Sequence, residues 1–133
     1  MPTSTNALTA RYCASLGWRC ETVQRFYGGR RHDLFGIADS VAMNGADLLL
    51  LQNCSYGTLK AHRDAITKND ALFALDGIVG VSIGLWEWRK KKAGRRSLWF
   101  LRTQWREFGA WQDPGEWTGP FDIYPTKKRD KAR

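Results

Sequence analysis

Histidine is almost missing from this chain of 133 residues: only His32 and His62 occur, and the three cysteines Cys13, Cys20 and Cys54 form no CxxC pair. That scarcity leaves no zinc-ligand spacing. An odd set of unpaired thiols reads as reduced cysteines in a cytosolic compartment. No apolar run approaches the length of a membrane span, and the first eighteen residues have neither a basic start nor a continuous apolar stretch. No signal peptide is visible, and the expected location is the cytoplasm. Internal repeats and low-complexity tracts are also missing.

What the chain does have is apolar content and a lopsided charge. Apolar residues make up 43% and charged residues 26%, which excludes disorder for most of the length and suits one domain with a real core. Seven tryptophans are many for this size. They suit a core, and any left exposed would suit base stacking or an interface. Residues 1–88 hold eight bases and eight acids, whereas residues 89–133 hold thirteen bases and five acids, so the net charge of +8 belongs entirely to the second part. A localised surplus of this kind attracts polyanions by counterion release and steering, and nucleic acid is the natural candidate.

Ser4 or Thr5 can cap a first helix over about residues 5–16, stopped by Gly17. Residues 18–27 predict a strand ending at Gly28-Gly29, with Arg30, Arg31 and His32 on the following loop. A second strand is predicted over residues 33–43, with Gly36 marking a bulge or close approach. It turns at Asn44-Gly45, the dipeptide best fitted to a tight hairpin. The third strand, residues 46–54, is apolar on both faces over 48–51 and so belongs in the centre of a sheet. Residues 58–75 predict the second helix, ended by Gly77. Two further strands, 78–88 and 97–102, flank a joining loop of residues 89–96. Six of its eight residues are basic: Arg89, Lys90, Lys91, Lys92, Arg95 and Arg96. Beyond Trp105 glycines and prolines break any long element, and the tail from Lys127 is expected to be disordered. The pattern predicts an α/β fold, a single-domain mixed β-sheet flanked by helices, with a compact part over 1–104 and a loop-rich extension with a basic tail over 105–133.

An acid near the end of one hairpin strand and polar residues at the end of its neighbour is how a small α/β domain places metal ligands. Asp39 is that acid. Gln52 and Cys54 follow the apolar strand and face one side of it, because strand side chains repeat every two residues. Asp33 is a second acid, six residues before Asp39; an uninterrupted strand would hold the two carboxylates on one face but about 20 Å apart. A bulge at Gly36 would alter both. Cys54 also reads as a small buried hydrophobe, and Lys60 and His62 as solvated helix residues.

The order of elements, with Arg31-His32-Asp33-Leu34-Phe35-Gly36-Ile37-Ala38-Asp39, the apolar strand to Gln52, and later Trp86-Glu87-Trp88-Arg89, resembles the PD-(D/E)XK nuclease superfamily. Within it, the chain is similar to small phage and prophage proteins of the Holliday junction resolvase type, over roughly residues 7–103. The resemblance implies a restriction-endonuclease-like αβββαβ core and a Mg²⁺- or Mn²⁺-dependent, structure-selective DNA endonuclease, working on branched or duplex DNA in the cytoplasm of a host cell if phage-encoded. In that family an Asp and a Glu hold the metal and a Lys two residues after the Glu orients the attacking water. Asp39 matches the Asp; Gln52 stands in the Glu position and Cys54 in the Lys position. The implied metal ligands are Asp39 and Gln52, with Asp33 able to supply the missing charge, and the implied catalytic residues are Asp39, Gln52 and Lys60. Lys60 stands in for the absent lysine from the next helix, with Lys68 as a more distant substitute. Arg30, Arg31 and the six basic residues of the 89–96 loop would hold phosphates. A homodimer is implied by the two symmetric cuts a four-way junction needs, with Trp105, Trp111 and Trp117 as candidate interface residues. The alternative is a catalytically inactive protein of the nuclease fold that binds DNA or a protein partner, and a phage-like origin would also permit an inhibitor of a host nucleic-acid enzyme.

Overall fold

The computed structural model describes residues 4–121, and the tail from Lys127, expected to be disordered, lies outside them. Helix α1 (Thr5–Ser15) starts where the Ser4 hydroxyl accepts the Ala7 N–H at 3.1 Å. This satisfies one of the orphan donors of the first turn. Strand β1 (Arg19–Thr22) follows. The chain then leaves the sheet, correcting the single strand expected over 18–27. Strands β2 (Arg25–Tyr27) and β3 (Arg30–His32) pair with each other as a separate hairpin, so Arg30 and Arg31 lie on a strand rather than a loop. Gly28 and Gly29 explain the difference: both have positive φ, 60° and 73°, the requirement of a two-residue hairpin turn.

Residues 33–39 are also not the expected strand. Gly36 N–H donates to Asp33 O, Phe35 and Gly36 both take left-handed φ, and Leu34 and Ala38 pair with each other across the turn. A close approach enforces this shape: a Cβ on Gly36 would sit 2.7 Å from Asn69 Nδ2, which itself donates to Phe35 O. Strand β4 (Ser40–Met43) therefore begins only after Asp39. The Asn44-Gly45 turn is longer than two residues, because Asn44 Oδ1 accepts the N–H groups of Ala46 and Asp47 before β5 (Leu48–Ser55) starts.

The second predicted helix is two: α2 (Leu59–Thr67) and α3 (Ala71–Asp76). Asn69 breaks it by accepting the Ala71 N–H on its side chain, the competition with helical bonding typical of this residue. Strands β6 (Val81–Ala93) and β7 (Arg96–Glu107) form a ladder of eleven residue pairs, followed by the short β8 (Ala110–Trp111) and by β9 (Thr118–Phe121). The basic segment 89–96 is thus mostly strand, with only Gly94 and Arg95 in the turn. Since β5 ends alongside Trp88, residues 89–93 and their partners continue as an arm roughly 15 Å long.

The fold is a mixed α/β architecture with a mostly antiparallel sheet in the order β1-β4-β5-β6-β7-β8, β9 also pairing with β7, and three helices. Only β5 and β6 run parallel among the described residues, joined through α2 and α3. One sheet face packs Leu50, Cys54, Ile83 and Leu85 against Leu59, Ile66, Leu72 and Leu75 of those helices. The other packs Leu49, Leu51, Trp86 and Trp88 against Leu8 and Cys13 of α1. Burying both faces is why β5 reads as one apolar run. No helix among the described residues is long and apolar enough to cross a membrane.

Candidate active-site cleft

Where β4 begins and β5 ends, the sheet opens into a cleft of about 650 Å³ between the start of α1 and the side of α2. Asp39 and Gln52 meet there, both lining it and both largely buried, at 3% and 7% exposure. Register explains the meeting. Ser40 pairs with Leu51, so the residue before the one and the residue after the other stand side by side on the α2 face. Gln52 Nε2 donates to Asp39 Oδ2 at 3.0 Å, and the Asn53 backbone N–H donates to Asp39 Oδ1 at 3.0 Å. Burial nevertheless pushes the Asp39 carboxyl up to about 7, with repulsion from Asp33 adding to it, while the Asn53 N–H and Arg31 work in the opposite direction.

Asp33 lines the same cleft, because the turn at 33–36 folds it back instead of carrying it away along a strand. Gln24 Nε2 donates to its Oδ1 at 2.8 Å. Arg31 lines the cleft as well, and Arg30 lies exposed on β3 outside its lining. Lys60 is not brought in. Its ammonium pairs with Asp64 at 2.7 Å, one helical turn on, and its side chain is 77% exposed. Lys68 lies at the exposed end of α2, outside the cleft lining. Cys54 is fully buried, its thiol directed to Gln52 O at 3.6 Å and its pKa raised by burial, so it packs as a core hydrophobe. Arg89, Lys90, Lys91, Lys92, Arg95 and Arg96 are on the arm, away from the cleft lining. The three late tryptophans all contact their own chain: Trp105 lies edge-on to Trp86, Trp111 donates to Thr67 Oγ1, and Trp117 meets Tyr56 at a tilt.

Several site residues were not foreseen. His62 sits half-buried in the cleft, and burial lowers its pKa below 6.5, leaving the ring neutral near pH 7. A signal for it exists: it falls three residues after Leu59 and four before Ile66, on the helix stripe that meets the sheet. Asn53 is the hub behind the cleft. Its Nδ2 donates to Asn6 Oδ1 and Ser40 Oγ at 2.9 and 2.8 Å, and its Oδ1 accepts from Thr9 Oγ1 at 2.5 Å, which in turn accepts from Trp88 Nε1 at 3.0 Å. Asn6 continues through Gln24 to Asp33. One polar network therefore holds α1, β4, β5, β6 and the carboxylates in a single arrangement.

Among the described residues no three His, Cys, Asp or Glu side chains converge as metal ligands. The donors at hand are the carboxylates of Asp39 and Asp33 and the carbonyl oxygen of Gln52, whose amide nitrogen is turned to Asp39 and whose oxygen makes no hydrogen bond among the described residues. An all-oxygen set with two negative charges suits a small hard cation. No protein-family model, curated protein or solved structure matches this chain.

Proposed function

We propose that the protein is a Mg²⁺- or Mn²⁺-dependent, structure-selective DNA endonuclease of the PD-(D/E)XK type, resembling Holliday junction resolvases and acting in the cytoplasm. The observation that carries this reading is Asp39: a nearly buried carboxyl facing a water-accessible cleft beside Asp33, with no ion pair to a base among the described residues. Such a group weakens the fold unless a cation completes it, and perturbed acids of this kind cluster at functional sites. Asp39, Asp33 and Gln52 would hold the ion, which when bound neutralises charge on a phosphate and makes water a nucleophile at neutral pH. Arg31 attracts the phosphate to the cleft rim. His62, neutral in its buried setting and lining the same cleft, accepts a proton from water. Asn53 positions the site by fixing Asp39 through its backbone and Ser40 through its side chain.

The test is cleavage of four-way, flap and linear DNA with Mg²⁺ and Mn²⁺. Wild type is expected to cut branched substrates. Asp39→Ala abolishes cutting, Lys60→Ala leaves it unchanged, and His62→Gln slows it. A second reading rests on the Gln52 amide, whose nitrogen already occupies one Asp39 oxygen, and on the missing lysine: a silent relative that binds DNA through the same fold. It predicts salt-sensitive binding indifferent to Asp39→Ala and no cleavage with either ion.

A further inference from the structure

Ser55 lines the cleft, and the next residue, Tyr56, stands 56% exposed at its edge. Its ring meets Trp117 at 5.8 Å between centroids, and the Arg89 guanidinium lies 4.4 Å over the Tyr56 ring and 6.0 Å from that of Trp117. Arg102 covers Trp117 at 4.8 Å. Buried Glu87 ties the group together: Oε1 accepts from Arg102 at 2.7 and 3.1 Å, and Oε2 accepts the Gly57 N–H at 2.7 Å, beside Tyr56. The aromatic pair is therefore held by a built support.

Strand alternation gives this group its direction. Gln52 pairs with Leu85, and on β6 Leu85, Glu87, Arg89 and Lys91 share one face, as do Arg96, Phe100 and Arg102 on β7. The cleft, the aromatic pair and this side of the arm thus follow one another along one side of the sheet. Lys91 lies over Phe100 at 5.5 Å. Among the described residues no ion pair neutralises the arm's six bases. Cationic groups interleaved with partly exposed aromatics match a nucleic-acid strand, phosphates to the bases of the arm and a nucleobase to the ring.

We propose that Tyr56, with Trp117 and Arg89 behind it, is a stacking platform for an unpaired nucleotide, and that the arm face of Arg89, Lys91 and Arg96 carries the same strand's phosphates toward the cleft. The preferred ligand is then DNA with a single-stranded segment, not continuous duplex. This deepens the nucleic-acid reading above and rests on it. Arg89 covers one face of the Tyr56 ring, and more than half of the residue remains in solvent to receive a base.

Fluorescence anisotropy in EDTA, with a labelled oligothymidylate and a labelled blunt duplex of equal length, tests it without any dependence on cleavage. Wild type is expected to prefer the single strand. Tyr56→Ala lowers that affinity by about fivefold or more and leaves duplex affinity unchanged, the scale set by loss of one stacked base. Tyr56→Phe keeps the preference, and replacing Arg89 and Lys91 by alanine reduces the salt dependence for both ligands. Preference of the wild type for duplex, equal losses for both ligands in Tyr56→Ala, or a Tyr56→Phe loss as large as that of alanine would overturn the proposal. Binding of neither ligand would overturn it too, together with the nucleic-acid reading on which it rests.

Discussion

Replacing Asp39 by asparagine is expected to stabilise the protein at pH 8 while removing the proposed DNA cleavage. The carboxyl of Asp39 ordinarily ionises at 3.8 and in the fold at about 7, because burial disfavours its charge and Asp33 repels it. The folded state therefore holds a proton that the unfolded chain releases. With the acid's folded pKa raised, stability falls as pH rises from about 4 to about 7 and is flat, for this group, above that. The separation of the two values corresponds to at most about 4 kcal/mol, and relaxation with water in the cleft makes about 2 kcal/mol a realistic expectation. Asparagine fits the site. Its Oδ1 accepts the Asn53 N–H as the carboxylate does, and its Nδ2 meets Gln52 once that amide turns to present its oxygen. Urea denaturation of both proteins at pH 4.5, 6 and 8 isolates the term, since His62, whose lowered pKa works in the opposite sense, is common to both. The difference is expected to be about 1 kcal/mol at pH 4.5, where the unfolded carboxyl is already mostly ionised, and about 2 kcal/mol in favour of the variant at pH 8. Parallel curves, or a variant less stable at pH 8, would refute the reasoning that Asp39 is an acid kept at a cost to the fold.

Three further substitutions probe the surroundings. Gln52→Glu brings a second carboxylate to 3.0 Å from the first, so in EDTA it is expected to lower stability by about 1–3 kcal/mol and to enlarge the rise in Tm caused by Mg²⁺; thermal melts with and without the ion check both. Asn53→Ala removes the partner of Thr9 and Ser40, both fully buried, and is expected to cost about 3 kcal/mol in urea denaturation, a loss below 1 kcal/mol contradicting the network's role. Arg102→Ala leaves Glu87, 1% exposed, with the Gly57 N–H as its one remaining partner among the described residues, an expected loss of about 3 kcal/mol that Glu87→Gln in the same chain partly restores in a double-mutant cycle.

The meeting of Asp39 with Gln52 was legible because it depends on local facts: an Asn-Gly turn, strand alternation, and an apolar run that ends in polar residues. What escaped depends on contacts distant in sequence. The sequence offers Asp33 as a ligand but not the turn at Phe35 and Gly36, closed by Asn69 more than thirty residues on, that folds it into the cleft. The same Asn69 splits a helix whose apolar stripe reads as continuous. The lysine-rich segment resembles a solvated loop until its partners Phe100 and Trp99 are seen across the ladder from Arg89 and Lys90. Lys60 lies outside the cleft lining because its ammonium meets Asp64, four residues later on the exposed side of α2. Asn53 is hidden by its neighbours: lying between Gln52 and Cys54 it faces the opposite side, where only the placement of α1 gives it a role.

The proposed function requires a divalent cation bound by Asp39, Asp33 and Gln52. A Mn²⁺ titration followed by electron paramagnetic resonance, on wild type, Asp39→Asn and Asp33→Asn at pH 8, addresses it directly. One saturable site in the wild type, lost in Asp39→Asn and weakened in Asp33→Asn while all three proteins remain folded, is the predicted result. Equal Mn²⁺ uptake by the three proteins, or none by the wild type, would contradict it.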